Sequence, residues 1–248
     1  MKLISDFKDW QFEGQGIVTI GTFDGVHLGH QKILKRLAEV KQKTGGESIV
    51  FTFDPHPRKI LFPGQSDLQL ISNLEEKTQL LKKAEVDITI VYSFTPEFSQ
   101  IDPEKFIKEI LVEKLNTKVL VIGYDHKFGK NRSGNIETFK NASKKYGFEV
   151  EEIPAQEVNE INISSTKIRK ALYDGDIKTA KQFLGYNYFL SGNVIHGKKL
   201  GRTIGIPTAN LKVNGTDKLI PGNGVYFVKV EVENFKGFGM MNIELIQP

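Results

Sequence analysis

The chain of 248 residues has no cysteine, which excludes disulfide bridges and metal centres built on thiolates. Long apolar runs are missing as well. No stretch approaches the ~20 residues a membrane-spanning helix needs, and Met1-Lys2-Leu3-Ile4-Ser5-Asp6 has no apolar segment behind it to serve as a signal peptide. A cytoplasmic protein without a membrane partner is expected. Charge of one sign is not concentrated either: the formal net charge is only +4, and the lysines are spread along helical patterns among Glu and Asp. That distribution reads as a solvated surface and not as a nucleic-acid footprint. With 39% hydrophobic and 26% charged residues the composition is that of an ordinary globular protein, and the length suits one large or two modest domains.

The most informative stretch is Gly21-Thr22-Phe23-Asp24-Gly25-Val26-His27-Leu28-Gly29-His30. Before it stands a short, partly β-branched run, Gly16-Ile17-Val18-Thr19-Ile20. After it, Ile33, Leu34, Leu37 and Ala38 recur at helical spacing. Strand, glycine turn and helix in this order form an anion site: glycines let backbone N–H groups approach closely, and the helix presents its positive dipole end. Two imidazoles three residues apart can face one ligand there, and a nucleoside triphosphate is the natural guest. All five histidines (His27, His30, His56, His126, His196) lie in or beside glycine-, proline- or charge-rich segments and none inside an apolar periodic run. That placement favours sites over core packing.

His27-Leu28-Gly29-His30 after Gly21-Thr22-Phe23-Asp24-Gly25 resembles the His-x-Gly-His signature of nucleotidyltransferases. By itself the signature implies the reaction type and leaves the acceptor open. Three further segments resemble one branch, the bacterial bifunctional riboflavin kinase/FAD synthetases. They are Phe51-Thr52-Phe53-Asp54-Pro55-His56-Pro57, Gly123-Tyr124-Asp125-His126-Lys127-Phe128-Gly129 and Ile163-Ser164-Ser165-Thr166-Lys167-Ile168-Arg169. With residues 192–228 the resemblance runs through nearly the whole chain in the family's order. It implies an FMN adenylyltransferase that uses ATP and FMN as substrates, forms FAD and requires Mg²⁺.

The coarse pattern agrees with such a fold. Strand candidates at Ile17–Ile20, Ser48–Phe53, Ile88–Tyr92, Val119–Ile122 and Phe148–Ile153 alternate with helical patterns at 31–43, 74–84, 103–115 and 135–146. This predicts an α/β, Rossmann-like domain with a parallel sheet, whose ligands lie outside the carboxyl ends of the strands. The glycine turn, Asp54-Pro55-His56-Pro57 and Gly123-Tyr124-Asp125 all follow strands. From about Tyr186 the texture changes to glycine and alternating β-formers, as in Gly224-Val225-Tyr226-Phe227-Val228-Lys229-Val230. Residues 1–185 are therefore expected to form the adenylyltransferase domain and 186–248 a small, incomplete β-barrel.

By resemblance, His27, His30, Ser164 and Arg169 are catalytic. Gly21, Thr22, Phe23, Gly29, Asp125, Ser165 and Thr166 join His30, Ser164 and Arg169 in binding the nucleotide, and Asp24, Phe53, Asp54, His56 and Pro57 hold FMN. Each has a plainer reading too: Ser164-Ser165-Thr166 as a capped helix start, Asp125 as a turn residue, the prolines around His56 as a rigid turn. Where the family often has Arg, Lys167 stands here and keeps the charge without the bidentate fork. His126 stands where Phe is usual, and its role is open.

The FMN phosphate is already ionised near neutral pH, so attack on the α-phosphate of ATP needs alignment and charge stabilisation and no general base. His27 and His30 suit that task as hydrogen-bond donors. The segments Gly192–Gly197, Gly201–Asn210 and Pro221–Tyr226 resemble the front half of a riboflavin kinase domain, in which Thr208 and Asn210 would contact Mg²⁺ and ATP phosphates. After Met240-Met241-Asn242-Ile243 the chain reads Glu244-Leu245-Ile246-Gln247-Pro248, where the family continues with further strands and a glutamate base. The expectation is an FAD synthetase whose kinase module is inactive. A bifunctional enzyme, a nucleotidyltransferase with another acceptor and a non-enzymatic flavin-binding protein are the alternatives.

Overall fold

Short runs of β-branched and aromatic residues pair into one parallel sheet. In the computed structural model, which describes residues 1–5, 7–64, 68–124, 126–154, 163–196, 205, 208–233 and 235–244, its strands are β1 (Lys2–Ile4), β2 (Gly16–Ile20), β3 (Glu47–Asp54), β4 (Ile88–Ser93), β5 (Thr117–Gly123) and β6 (Glu149–Ile153). Their order is β1-β4-β3-β2-β5-β6, and every pairing is parallel. From β2 the chain builds outward through β3 and β4 on one side, whereas β5 and β6 build the other. The crevice outside the carboxyl ends of β2 and β5 is thus the topological switch point, where sheets of this kind bind ligands.

All five residues of β2 are buried, as a strand covered by helices on both faces requires. The helix after it, α1 (Leu28–Thr44), buries Leu34, Leu37 and Val40 in one stripe and ends at Gly45, whose φ of 77° only glycine adopts without strain. Ion pairs tie α1 to the sheet: Arg36 to Glu151 of β6 (2.5 Å) and Lys41 to Asp87, just before β4 (2.6 Å). Helices α2 (Pro57–Leu61) and α3 (Leu74–Lys83) connect β3 to β4. Then α4 (Pro96–Ser99) and α5 (Pro103–Phe106) lead to a π-helical segment, Ile107–Lys114, and α6 (Ile136–Tyr146) connects β5 to β6. Asn135 and Thr138 form a reciprocal capping box at the start of α6.

The expected strands and helices are present to within a few residues, with two local differences. β1 pairs through only three residues, Lys2 to Ile4 against Ile88 to Ile90, too short a run for any period to show. The helix expected over 103–115 widens after Phe106, where the Leu115 N–H donates to the Ile110 carbonyl five residues back.

Residues group into two compact units, Met1–Leu68 with Leu74–Ile163, and Gln69–Asn73 with Ser164–Pro248. The division falls before α7 (Ser165–Tyr173) and α8 (Ile177–Leu184), ahead of the expected boundary at 185/186. Hydrogen bonding explains the place of both segments in the second unit. The Gly222 N–H donates to Leu172 of α7 (2.9 Å), Arg169 Nε donates to the Gln69 carbonyl (2.8 Å), and the buried Lys218 donates through Nζ to the Ile71 carbonyl (2.6 Å).

The remainder of that unit is antiparallel: β7 (Gly192–Ile195) with β8 (Asn210–Val213), and β9 (Gly224–Val232) with β10 (Phe235–Ile243). This is consistent with the small barrel-like module expected. Among the described residues the β9–β10 pair keeps one apolar face open to solvent, with Phe227 stacked on Phe238 and Phe227 and Met240 each 78% exposed.

Candidate functional site

On leaving β2 the chain stays beside β3, because the Gly21 N–H donates to the Phe51 carbonyl (3.1 Å). The next residues form a tight turn in which Phe23, Gly25 and Val26 all take positive φ (47°, 75° and 36°). Only the glycine does so freely; the two others store roughly 1–3 kcal/mol each. Their side chains are almost wholly buried, and that packing holds the turn in shape.

His27 then caps α1. The backbone N–H of His30 donates to His27 Nδ1 (3.4 Å), an acceptor role that assigns the neutral ring's proton to Nε2. The two imidazoles stack with centroids 3.8 Å apart and planes 16° from parallel, and the Phe23 ring lies 5.1 Å from that of His30. Gly29 permits this, since a Cβ there would stand 3.2 Å from His27 Cε1 and Nδ1. Nδ1 of His30 is sealed from water without a hydrogen-bond partner. Burial first, then the neighbouring His27 and Lys77, hold the His30 pKa well below its ordinary 6.5, so its ring is neutral at physiological pH.

The end of β3 joins this turn. Thr52 Oγ1 donates to the Thr22 carbonyl (3.2 Å), and Lys77 Nζ of α3 donates to Thr52 Oγ1 (3.4 Å) and the Phe53 carbonyl (3.2 Å). Lys77 is buried. Burial lowers its pKa, while Asp24 and Asp54 oppose that shift. Sequence reasoning missed this lysine. Its signal was its place in the apolar stripe of α3, three residues after Leu74 and three before Leu80.

The first unit therefore brings together Gly21, Thr22, Phe23, Asp24, His27, Gly29, His30, Phe53 and Asp54. Phe53 also meets Phe94 edge-on with ring centroids 5.4 Å apart. His56 caps α2 by accepting the Arg58 N–H at Nδ1 (3.2 Å), and Pro57 opens that helix. His126 lies among aromatic rings, 6.2 Å from Phe128 and 6.0 Å from Phe139. Asp125 lies outside the described residues.

Ser164, Ser165, Thr166 and Arg169 belong to the second unit. Ser164 caps α7 by accepting the Lys167 N–H (3.3 Å), as the sequence suggested, while Arg169 is buried with its Nε on the Gln69 carbonyl. Thr208 and Asn210 are exposed, Asn210 at the start of β8. Among the described residues no three His, Cys, Asp or Glu side chains gather to hold a metal ion, and no helix is long and apolar enough to cross a membrane.

Residues 10–167 match the family model described as FAD synthetase, and residues 184–247 match the one described as riboflavin kinase. A bifunctional riboflavin kinase/FMN adenylyltransferase from Buchnera aphidicola subsp. Schizaphis graminum is 40% identical over 98% of this chain and 78% of its own length. The protein of the same name from Listeria monocytogenes is 41% identical over 92% of this chain and 71% of its own. A crystal structure from Streptococcus pneumoniae, described as a macrolide-efflux protein, superposes with a TM-score of 0.86 at 32% identity, covering 98% of this chain and 78% of that one.

Proposed function

Because the chain belongs to the riboflavin kinase/FAD synthetase family of nucleotidyltransferases, we propose that it transfers the adenylyl group of ATP to FMN. A terminal phosphate oxygen of FMN bonds to the α-phosphorus, the bond from that phosphorus to the bridging oxygen of pyrophosphate breaks, and FAD and pyrophosphate result. No proton must leave the nucleophile, so the protein's task is alignment and charge stabilisation. The observation that carries this reading is the stacked His27–His30 pair at the start of α1, at the sheet's switch point. The imidazoles there donate N–H bonds to charge developing on the α-phosphate and the departing pyrophosphate.

In this reading Gly21, Thr22, Phe23 and Gly29 cradle the nucleotide with Asp125. Ser164, Ser165, Thr166 and Arg169 hold its phosphates, while Asp24, Phe53, Asp54, His56 and Pro57 hold FMN. Mg²⁺ takes oxygen ligands and usually keeps several waters. The described residues offer no cage of carboxylates for it, so it would enter on the triphosphate, whose charge it neutralises. We assign residues 1–185 to adenylyl transfer and 186–248 to the riboflavin-kinase-like module, with Thr208 and Asn210 as its metal-site residues, and place the enzyme in the cytoplasm with small molecules as its substrates.

For a polypeptide of these 248 residues we propose no turnover of riboflavin, on the ground that the β9–β10 face is open to solvent and closes over nothing among the described residues. Thermal stabilisation tests the acceptor and nucleotide. ATP with FMN should raise the melting temperature cooperatively, CTP should not, and stabilisation by CTP alone would transfer the protein to the cytidylyltransferases.

A further inference from the structure

Resting on the reading of the histidine turn as the adenylyl-transfer site, a second group beside it acquires a role. Lys77 occupies a core-facing position of α3 and is 6% exposed. An ammonium in such a place loses hydration that only well-placed partners return, and an apolar residue would fill the stripe without that loss. The partners are specific. Nζ donates to Thr52 Oγ1 and to the Phe53 carbonyl. Asp24 on the glycine turn and Asp54 at the end of β3 supply opposing charge. Thr52 passes the connection on, its hydroxyl donating to the Thr22 carbonyl. One hydrogen-bonded path thus runs from α3 through β3 into the turn that presents His27 and His30. Lys77 also disfavours a positive charge on the His30 ring, as the neighbouring His27 does.

We propose that Lys77 is a positioning residue for adenylyl transfer: through Thr52 it fixes the Thr22 carbonyl and the glycine turn, and its ammonium opposes a second positive charge on the His27–His30 pair. The His30 imidazole then meets the phosphates uncharged, beside His27, in a fixed geometry. Asp24 and Asp54 balance the ammonium, so the buried group is retained without leaving a bare charge under the sheet.

The test uses Lys77→Met, Lys77→Arg and Thr52→Val in the full chain, read in two ways. Titration of His30 by NMR on ¹³C-histidine-labelled protein needs no turnover. Its midpoint should rise in Lys77→Met and stay in place in Lys77→Arg and Thr52→Val. In steady-state kinetics with ATP and FMN, Lys77→Met should lower kcat about tenfold or more with KM for ATP changed less than about threefold, as expected for lost alignment. The acid limb of its kcat–pH profile should move toward neutrality, and Lys77→Arg should return that limb to its original place. Thr52→Val should lower kcat without moving the limb. An unmoved His30 midpoint in Lys77→Met, or a variant whose only defect is a lower melting temperature, overturns the proposal. If Lys77→Met does not fold, an unchanged kcat in Thr52→Val overturns it. A wild type that forms no FAD defeats the adenylyl-transfer reading instead, and the His30 titration still decides whether Lys77 acts on the pair.

Discussion

Acidification should destabilise this protein through His30, by an amount that follows from its surroundings. Burial, then His27, then Lys77 hold the folded-state pKa of His30 well below 6.5, the value of the free side chain. The unfolded chain therefore binds more protons below that pH, and stability rises with pH. The contribution is intact above about 6.5 and is lost as the pH falls toward the folded-state value. Each pH unit in that window is worth about 1.4 kcal/mol per group. Between about pH 7 and 5.5, one unit of which lies in the window, His30 costs up to about 1.4 kcal/mol, or about 3–6 °C in Tm for a domain of this size. Thermal unfolding of the wild type and His30→Asn at both pH values measures it. The wild type should lose more than the variant on acidification, by up to about 3–6 °C; parallel losses would refute a buried, neutral His30.

Three other outcomes are expected. Gly29→Ala should push the His27 ring by a few tenths of an ångström, because the added Cβ stands 3.2 Å from it, lowering kcat about tenfold. The melting temperature should hold or rise, because alanine favours the helix by about 1 kcal/mol. His27→Ala should reduce kcat by roughly 10²–10³ with KM for FMN little changed, the signature of an interaction made in the transition state, and equal losses in both would contradict that role. Asp87 receives the Ser48 N–H and Oγ–H (both 2.8 Å) and Lys41 Nζ (2.7 Å). Burial pushes its carboxyl up, but those hydrogen bonds prevail and hold it below the usual range. Asp87→Ala, leaving these donors unmatched, should cost about 1–3 kcal/mol in urea unfolding, with kcat preserved below the transition.

Strands whose burial is nearly continuous announce themselves in the sequence, and β2 to β5 did so because Val, Ile and Phe cluster in runs of about five residues bounded by turn residues. The glycine turn was equally legible, since its residue types state its chemistry. Other features depend on pairings that no local pattern encodes. Gln69–Asn73 joins the second unit through hydrogen bonds with Arg169, Asp217, Lys218 and Leu219, all more than 90 positions away. Lys77 stands in the apolar stripe of α3, but its partners Asp24, Thr52 and Asp54 come from distant parts of the chain and only the fold shows how its charge is balanced. Arg169 was foreseen as a phosphate ligand, while its Nε hydrogen bond to the Gln69 carbonyl depends on the second unit's packing.

The central claim is adenylyl transfer to FMN, and product formation tests it most directly. Purified protein is incubated with Mg²⁺ and ATP, in parallel with FMN and with riboflavin, and FAD is resolved from FMN by chromatography. FAD from FMN, with riboflavin unconverted, is the predicted result. Absence of FAD from the FMN reaction would contradict the account.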